Sequence, residues 1–199
     1  MIAIIDYGMG NLRSVQKAFE FLGFEAVITD DPKVIENADK VVLPGVGAFC
    51  DAIKNIREKG IDKVIYKIVE DKKPLLGICL GMQMMFDKSY ENGEYEGLGL
   101  MEGKIVRLPE TEIIPQIGWN NLDIKMKNPL FEGLGDEPYV YFVHSYYLKA
   151  TDESIVKATT EYSTHIHASV EQGNVFACQF HPEKSSDTGL QILKNFVEL

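Results

Sequence analysis

The sequence lacks most of the features that mark secreted, membrane-spanning and zinc-binding proteins. Its three cysteines, Cys50, Cys79 and Cys178, form no paired spacing and no C-x-x-C motif, which argues against disulfide bonds and structural zinc. No apolar run reaches the ~18 residues that span a bilayer, and the N-terminal residues include no basic segment typical of a signal peptide. We therefore expect a cytoplasmic protein with reduced thiols, without a membrane partner, a metal or a cofactor.

Positive charge is scarce as well. The 20 Lys and Arg residues are outnumbered by 30 Asp and Glu residues, which gives a formal net charge of −10. Because nucleic-acid-binding surfaces are built from clustered basic residues, this balance argues against a nucleic-acid partner. The length of 199 residues, with 45% hydrophobic residues, fits one domain over residues 1–199 with a core of its own.

The apolar pattern predicts an α/β fold. Strand-like runs alternate with helical patterns in the first half, with strands at 2–5, 25–29, 40–43 and 74–78 and helices at 12–22, 51–58 and 61–70. Since a β-α-β crossover makes its strands parallel, we expect an open, mostly parallel twisted sheet with helices on both faces. The second half has short β-branched and aromatic runs that predict additional antiparallel hairpins in a meander, followed by a helix over 187–197.

Cys79 stands at the abrupt end of the apolar run over residues 74–78. Gly77 and Gly81 lie on either side of it, and a helix is predicted to begin at Gly81. This is the pattern of a nucleophile elbow, a tight strand-to-helix turn that exposes the side chain at its tip, with cysteine in place of serine. The positive end of the helix favours a thiolate there. The alternative is that Cys79 is a small buried apolar residue, as free cysteines usually are.

A glycine-rich loop over residues 44–47 follows the third predicted strand. Its two glycines flank Val46 and let the backbone expose successive N–H groups at the carboxyl end of a strand, where open α/β sheets place their sites. Met82, Met85 and Phe86 lie on the predicted helix behind the elbow, and we expect them to pack in the core.

A thiol nucleophile needs a base, and the sequence offers four histidines. His181 is favoured because it follows an apolar strand and has Glu183 two residues on, which can orient the imidazole. His144 ends an aromatic strand but has no adjacent acid. His165 and His167 are one strand period apart and are expected on a solvent-facing hairpin.

Three motifs now occur in order along the chain, namely Pro44-Gly45-Val46-Gly47 and the segments 77–83 and 179–183. Together they resemble the class I, triad-type glutamine amidotransferases. The resemblance implies hydrolysis of the side-chain amide of L-glutamine through a γ-glutamyl thioester, with release of ammonia.

Residue by residue, the resemblance implies that Cys79 is the nucleophile, His181 the general base and then acid, and Glu183 the orienting carboxylate. It also implies an oxyanion hole formed by the backbone amides of Val46, Gly47 and Leu80. Substrate is expected to be bound by Gln83 and by the backbone of His144, Ser145 and Tyr146. The alternative for Gln83 is a helix residue bonded to solvent.

Four further segments, residues 5–11, 117–120, 141–146 and 180–185, are similar to the members of this family that serve histidine biosynthesis. The resemblance implies a heterodimer in which ammonia passes to a separate (β/α)₈-barrel cyclase subunit. The length gives the same expectation, since 199 residues suffice for the glutaminase alone. We expect Asn11, Trp119 and Tyr141 at the interface, although Trp119 and Tyr141 are also compatible with a core or rim position.

Two alternatives remain at this point. One keeps the chemistry but serves anthranilate or aminodeoxychorismate synthesis, and the other is a non-catalytic binding protein of similar fold with a reactive cysteine. We also expect the isolated chain to be a poor glutaminase, because the glycines of the 44–47 loop can hold an oxyanion donor turned away until a partner docks.

Overall fold

Strands and helices alternate along the first half of the chain, and strands dominate the second half. A computed structural model describes all residues from Met1 to Leu199. The strands are β1 (Ile2–Ile5), β2 (Ala26–Thr29), β3 (Lys40–Leu43), β4 (Leu75–Ile78), β5 (Phe86–Ser89), β6 (Tyr95–Glu96), β7 (Met101–Arg107), β8 (Gln116–Asn121), β9 (Asp123–Ile124), β10 (Tyr139–His144), β11 (Tyr146–Ala150), β12 (Val156–Tyr162), β13 (Thr164–Gln172) and β14 (Val175–Cys178). The helices are α1 (Leu12–Phe21), α2 (Pro32–Asn37), α3 (Phe49–Glu58), α4 (Ile61–Glu70), α5 (Leu80–Met84) and α6 (Ser186–Glu198).

An eight-stranded sheet in the order β2-β1-β3-β4-β14-β13-β12-β9 forms the centre of the fold. The first five strands in this order, β2, β1, β3, β4 and β14, are parallel to one another. Strands β13, β12 and β9 extend the sheet, each antiparallel to the strand before it. Two smaller sheets stand beside it, β10-β8 and β11-β7-β5-β6. The expected α/β architecture, a mostly parallel sheet with added antiparallel strands, is confirmed.

The parallel strands are buried on both faces, because side chains alternate between two cores. Ala3 and Ile5 point into the core shared with α3 and α4. Ile2 and Ile4 point into the opposite core, which α1 and α6 cover. Helices therefore lie on both faces, and the open edge at the carboxyl ends of β1, β3, β4 and β14 is left for a site.

The second half departs from the expected meander. Strand β14 returns to lie parallel to β4, with Cys178 opposite Ile78, while β10 pairs with β8 and β11 with β7 outside the main sheet. Strands β5, β6 and β11 and helix α2 were not predicted. Helix α2 is short and begins at Pro32, a residue that in the sequence indicates a turn. The Asp31 side chain caps this helix by accepting a hydrogen bond from Lys33 N at 2.8 Å.

Helix α5 is shorter than predicted. It ends at Met84, and Phe86 already belongs to β5. The reason is a tertiary one, since Leu98 N donates to Met84 O at 2.7 Å and Leu100 N donates to Met85 O at 2.8 Å. These bonds satisfy carbonyls at the helix end and turn the chain into a strand.

The three cysteines are free. None of the helices combines the length and the apolar character needed to cross a membrane.

Gly81 gives the first prediction, because a Cβ built on it would lie 1.8 Å from the carbonyl oxygen of Leu43. We expect Gly81→Ala to lower the free energy of unfolding by about 1–3 kcal/mol, since backbone must move to admit the methyl group. Gly135→Ala is the matched control, as nothing lies within 4 Å of its Cβ position, and it should stay within about 0.5 kcal/mol of the parent. Urea unfolding measures both, and equal midpoints would contradict the prediction.

Candidate active site

Cys79 forms a strained turn between β4 and α5. Its φ of 53° and ψ of −111° lie where side chains other than glycine are rarely found. The turn is held from both sides, since Cys79 N donates to Cys178 O at 2.8 Å and Cys79 O accepts from Gln83 N at 3.1 Å. The strand-to-helix turn thus carries the thiol at the carboxyl edge of the sheet.

Close packing brings the 44–47 loop against this turn. A Cβ on Gly45 would lie 2.8 Å from Gly81 N and 2.7 Å from the Tyr7 hydroxyl oxygen, so glycine is required there. The Tyr7 hydroxyl donates to Pro44 O at 2.9 Å and fixes the first half of the loop. Burial, together with the nearby charge of Cys79, raises the pKa of Tyr7 and keeps its hydroxyl protonated as a donor.

The second half of the loop is exposed. Neither the Val46 amide nor the Gly47 amide donates a hydrogen bond within the chain. Gly47 has a φ of 95°, which glycine adopts without strain. Leu80 is the first residue of α5, where an N–H group has no partner in the helix. Free backbone donors therefore lie on both segments that meet at the Cys79 turn.

His181 and Glu183 form a buried pair after β14. His181 Nδ1 lies 2.8 Å from Glu183 Oε1, and their side chains are 2% and 1% exposed. Burial by itself would lower the pKa of His181, but its interactions with Cys79 and Glu183 outweigh burial and raise that pKa. Within the chain His181 Nε2 has no hydrogen-bond partner, so this nitrogen is free for proton transfer.

The parallel pairing of β14 with β4 brings Cys79 and His181 into one cavity of about 440 Å³. Its walls contain nine of the sequence-predicted residues, namely Val46, Gly47, Cys79, Leu80, Gln83, His144, Ser145, Tyr146 and His181. Glu183 lies behind His181. Asn11, Trp119 and Tyr141 do not line the cavity. A cavity of this size suits a small polar ligand such as an amino acid.

The thiol itself is held by other groups. Cys79 Sγ donates to Val143 O at 3.9 Å and accepts from Gln179 Nε2 at 3.6 Å. Gln179 also accepts from Gln83 Nε2 at 2.9 Å. No role was assigned to Gln179 from the sequence. Its place as the first residue of the 179–183 motif was the feature that could have indicated one.

His144 is fixed in the cavity wall by hydrogen bonds of its own. Its Nδ1 lies 2.9 Å from Tyr146 O and its Nε2 2.8 Å from the side chain of Gln116, so both ring nitrogens are occupied. Burial lowers the pKa of His144 to about 4, which keeps the ring neutral near pH 7. The ring fixes the backbone of residues 144–146 in the cavity wall.

His165 and His167 lie on β13 away from the cavity. His165 bonds to Glu161, and Nδ1 of His167 accepts from Ala150 N at 3.2 Å. No group of three or more His, Cys, Asp or Glu side chains is placed to hold a metal ion.

Glu91 and Lys184 are charged cavity residues that sequence reasoning missed. Glu91 Oε2 accepts from Phe49 N at 2.8 Å. Burial raises the pKa of Glu91, against the lowering effect of that hydrogen bond. It lies in an acidic, glycine-rich segment that offers no local pattern. Lys184 Nζ lies 6.0 Å from the ring of Tyr141, close enough for a cation–π contact.

Trp119 and Tyr141 are paired in register on β8 and β10. Their ring centroids are 6.1 Å apart with an interplanar angle of 74°. Ile117, Trp119 and Tyr139 on the same ribbon are 63%, 53% and 50% exposed. These residues with Tyr141 form an apolar row that leads, through Val143, to the cavity.

The family profile of glutamine amidotransferase class-I matches residues 3–199. The chain therefore belongs to the class-I glutamine amidotransferases and is an enzyme of that class. Imidazole glycerol phosphate synthase subunit HisH from Caldanaerobacter subterraneus subsp. tengcongensis is 52% identical over 199 residues, covering 100% of this chain and 98% of the relative. The HisH subunit from Aquifex aeolicus is 52% identical over 194 residues, or 97% and 94% of the two chains. Within the class, the chain belongs with the HisH subunits.

Solved structures agree on the fold. A crystal structure of a glutamine amidotransferase superposes with a TM-score of 0.79 at 24% identity, covering 100% of this chain and 98% of the other. A chain of the PurLQS structure from Thermotoga maritima gives a TM-score of 0.79 at 22% identity, with 99% and 97% covered. At these identities the likeness concerns the fold alone.

The buried His181–Glu183 pair gives the second prediction. In Glu183→Gln, His181 loses the carboxylate that raises its pKa and orients the ring, so we expect kcat for glutamine hydrolysis to fall by about 10²–10⁴. KM should change little, because Glu183 does not line the cavity.

The matched control is Glu161→Gln, which removes the carboxylate of the exposed His165–Glu161 pair. It should leave kcat unchanged. Release of glutamate from glutamine measures both variants, and a Glu183→Gln enzyme within about twofold of the parent would refute the assignment.

Proposed function

We propose that this chain is the glutaminase subunit of an imidazole glycerol phosphate synthase, acting as one domain over residues 1–199, with Cys79, His181 and Glu183 as its catalytic triad. The observation that carries the proposal is the meeting of a strained Cys79 turn and a buried His181–Glu183 pair in one cavity. A thiol, a carboxylate-oriented imidazole and unpaired backbone N–H groups together suit acyl transfer.

In the proposed reaction His181 Nε2 takes the proton from Cys79 Sγ. The sulfur then attacks the side-chain amide carbon of glutamine, and the oxyanion accepts hydrogen bonds from the amides of Leu80 and the Val46–Gly47 segment. His181 returns the proton to the amide nitrogen, which leaves as ammonia and leaves a γ-glutamyl thioester on Cys79. Water, deprotonated by His181, attacks the thioester, and glutamate and the thiol are released.

The α-amino and α-carboxyl groups of glutamine need partners of their own. Glu91 is the only carboxylate in the cavity wall and is assigned to the α-ammonium group. Both N–H groups of Gln83 are used inside the protein, by Tyr146 O at 3.0 Å and by Gln179 Oε1. Gln83 Oε1 is left as an acceptor for substrate, beside the backbone of residues 144–146.

The ammonia product is consumed, in this proposal, by a (β/α)₈-barrel cyclase subunit that forms a heterodimer with this chain in the cytoplasm. The apolar row of Ile117, Trp119, Tyr139 and Tyr141 supports an interface at this edge, because exposed apolar patches mark docking surfaces. Asn11 lies in the β1–α1 loop at the carboxyl end of β1, and its Oδ1 accepts from Ser14 Oγ at 2.9 Å. The identity to HisH subunits favours this partner over a chorismate-using synthase.

Covalent labelling of Cys79 tests the chemistry. A glutamine analogue carrying a diazoketone should modify Cys79, and millimolar glutamine should prevent the reaction because both occupy one cavity. Mass spectrometry of peptides locates the label and separates Cys79 from the half-buried Cys50. Cys79→Ala should remain unlabelled and form no glutamate. Glutamate formation by Cys79→Ala at the parent rate would exclude the thioester mechanism.

Trp119 tests the interface. Trp119→Ala should weaken binding of a barrel cyclase by about tenfold or more, since exposed aromatic residues dominate interface energetics, and should reduce the cyclase-stimulated glutaminase rate at limiting concentration. Phe21→Ala is the matched control, because Phe21 is 79% exposed at the end of α1, on the opposite edge of the sheet. Equal affinities for both variants, or stimulation only by a chorismate-using partner, would overturn the assignment.

A further inference from the structure

Gln179 lies between the nucleophile and the residue that we assign to substrate. Its side chain is fully buried, and its backbone N–H is fixed by Ala168 O at 2.9 Å. Gln179 Nε2 is 3.6 Å from Cys79 Sγ, and Gln179 Oε1 is 2.9 Å from Gln83 Nε2. A buried side-chain amide that is hydrogen-bonded at both its oxygen and its nitrogen is held in one orientation.

The direction of these hydrogen bonds is determined by a backbone carbonyl. Tyr146 O can only accept, so Gln83 must turn its Nε2 toward it, at 3.0 Å. The second hydrogen of Gln83 Nε2 then needs an acceptor, which is Gln179 Oε1. Gln179 is thereby forced to present its Nε2–H group to Cys79 Sγ, so the donor at the sulfur is set by the chain from Tyr146 O.

The two contacts of the sulfur respond differently to loss of the thiol proton. The neutral thiol can donate to Val143 O at 3.9 Å, but a thiolate is repelled by that carbonyl. The contact with Gln179 strengthens instead, because hydrogen bonds to an ionised acceptor are roughly twice as strong as neutral ones. Gln179 therefore discriminates between the two states of the nucleophile.

We propose that Gln179 is a further catalytic residue, whose Nε2–H group stabilises the Cys79 thiolate before attack and when the thioester breaks down. The inference rests on the proposed function. The proton still passes between Sγ and His181 Nε2, and Gln179 supplies only a hydrogen bond.

Other titratable groups near Sγ do not replace this donor. Tyr7 and Cys178 interact with Cys79, but burial raises the pKa of each and keeps them neutral near pH 7. His181 supplies positive charge, and Glu91 and Lys184 lie in the same cavity wall. These groups are unchanged in the variants below, so a shift in thiol reactivity reports on residue 179.

The test is the pH dependence of iodoacetamide alkylation at Cys79, located by mass spectrometry, in the full chain. Gln179→Met removes the donor at similar volume and should move the inflection to higher pH by about one unit, which slows alkylation about tenfold at pH values below the inflection of the parent. Gln179→Glu keeps an acceptor for Gln83 but replaces the donor by a negative charge, and should move the inflection further. The kcat for glutamine should fall with the alkylation rate.

Gln116→Met is the matched control, because Gln116 is a buried glutamine that bonds to His144 and does not touch Sγ. Its inflection should equal that of the parent, whereas a general loosening of the cavity would shift it too. A parental inflection in Gln179→Met, or in Gln179→Glu if the first variant does not fold, would overturn the inference. Failure of the proposed function would be seen separately, because glutamine would then not protect Cys79 of the parent chain from labelling.

Discussion

A gap too narrow for a methyl group, between α5 and the end of β3, is the constraint on which the site depends. Gly81 lies against the Leu43 carbonyl, and Gly45 lies against Gly81 and the Tyr7 hydroxyl. Because these backbones touch, the free amides of the 44–47 loop and the Cys79 turn are held on one side of a small cavity. Hydrophobic strands alone would bring the elements together, but only glycine lets them approach this closely.

Much of the first half follows from local sequence, because β1, β3 and β4 are short apolar runs that end in turns. The juxtaposition of Cys79 with His181 does not, since the pairing of β14 with β4 joins segments about 100 residues apart. Local sequence patterns carry no information about this pairing. The proximity of Cys79 and His181 was expected only because the three ordered motifs resemble those of a known family. Glu91 lacks even a motif, because its place in the cavity depends on a tertiary bond to Phe49 N.

Electrostatics and packing act together in the cavity. The Glu183 carboxylate is nearly inaccessible, yet it is balanced by the His181 ring, whose pKa is raised by Cys79 and by this carboxylate. His144 lines the same cavity and is also buried, but no carboxylate is bonded to its ring, and the ring stays neutral near pH 7. The pKa values of two histidines in one cavity therefore shift in opposite directions, because only one of the two has a negatively charged partner.

The central position of β14 has a consequence for synthesis of the chain. This strand lies between β4 and β13, although it is the last strand made. During translation the sheet must wait for it, and the nascent chain holds Cys79 without His181 or Glu183 until almost the whole chain has left the ribosome. With the triad proposed above, hydrolytic competence is delayed until the final strand inserts, and a chain cut before residue 181 would keep the thiol without its base.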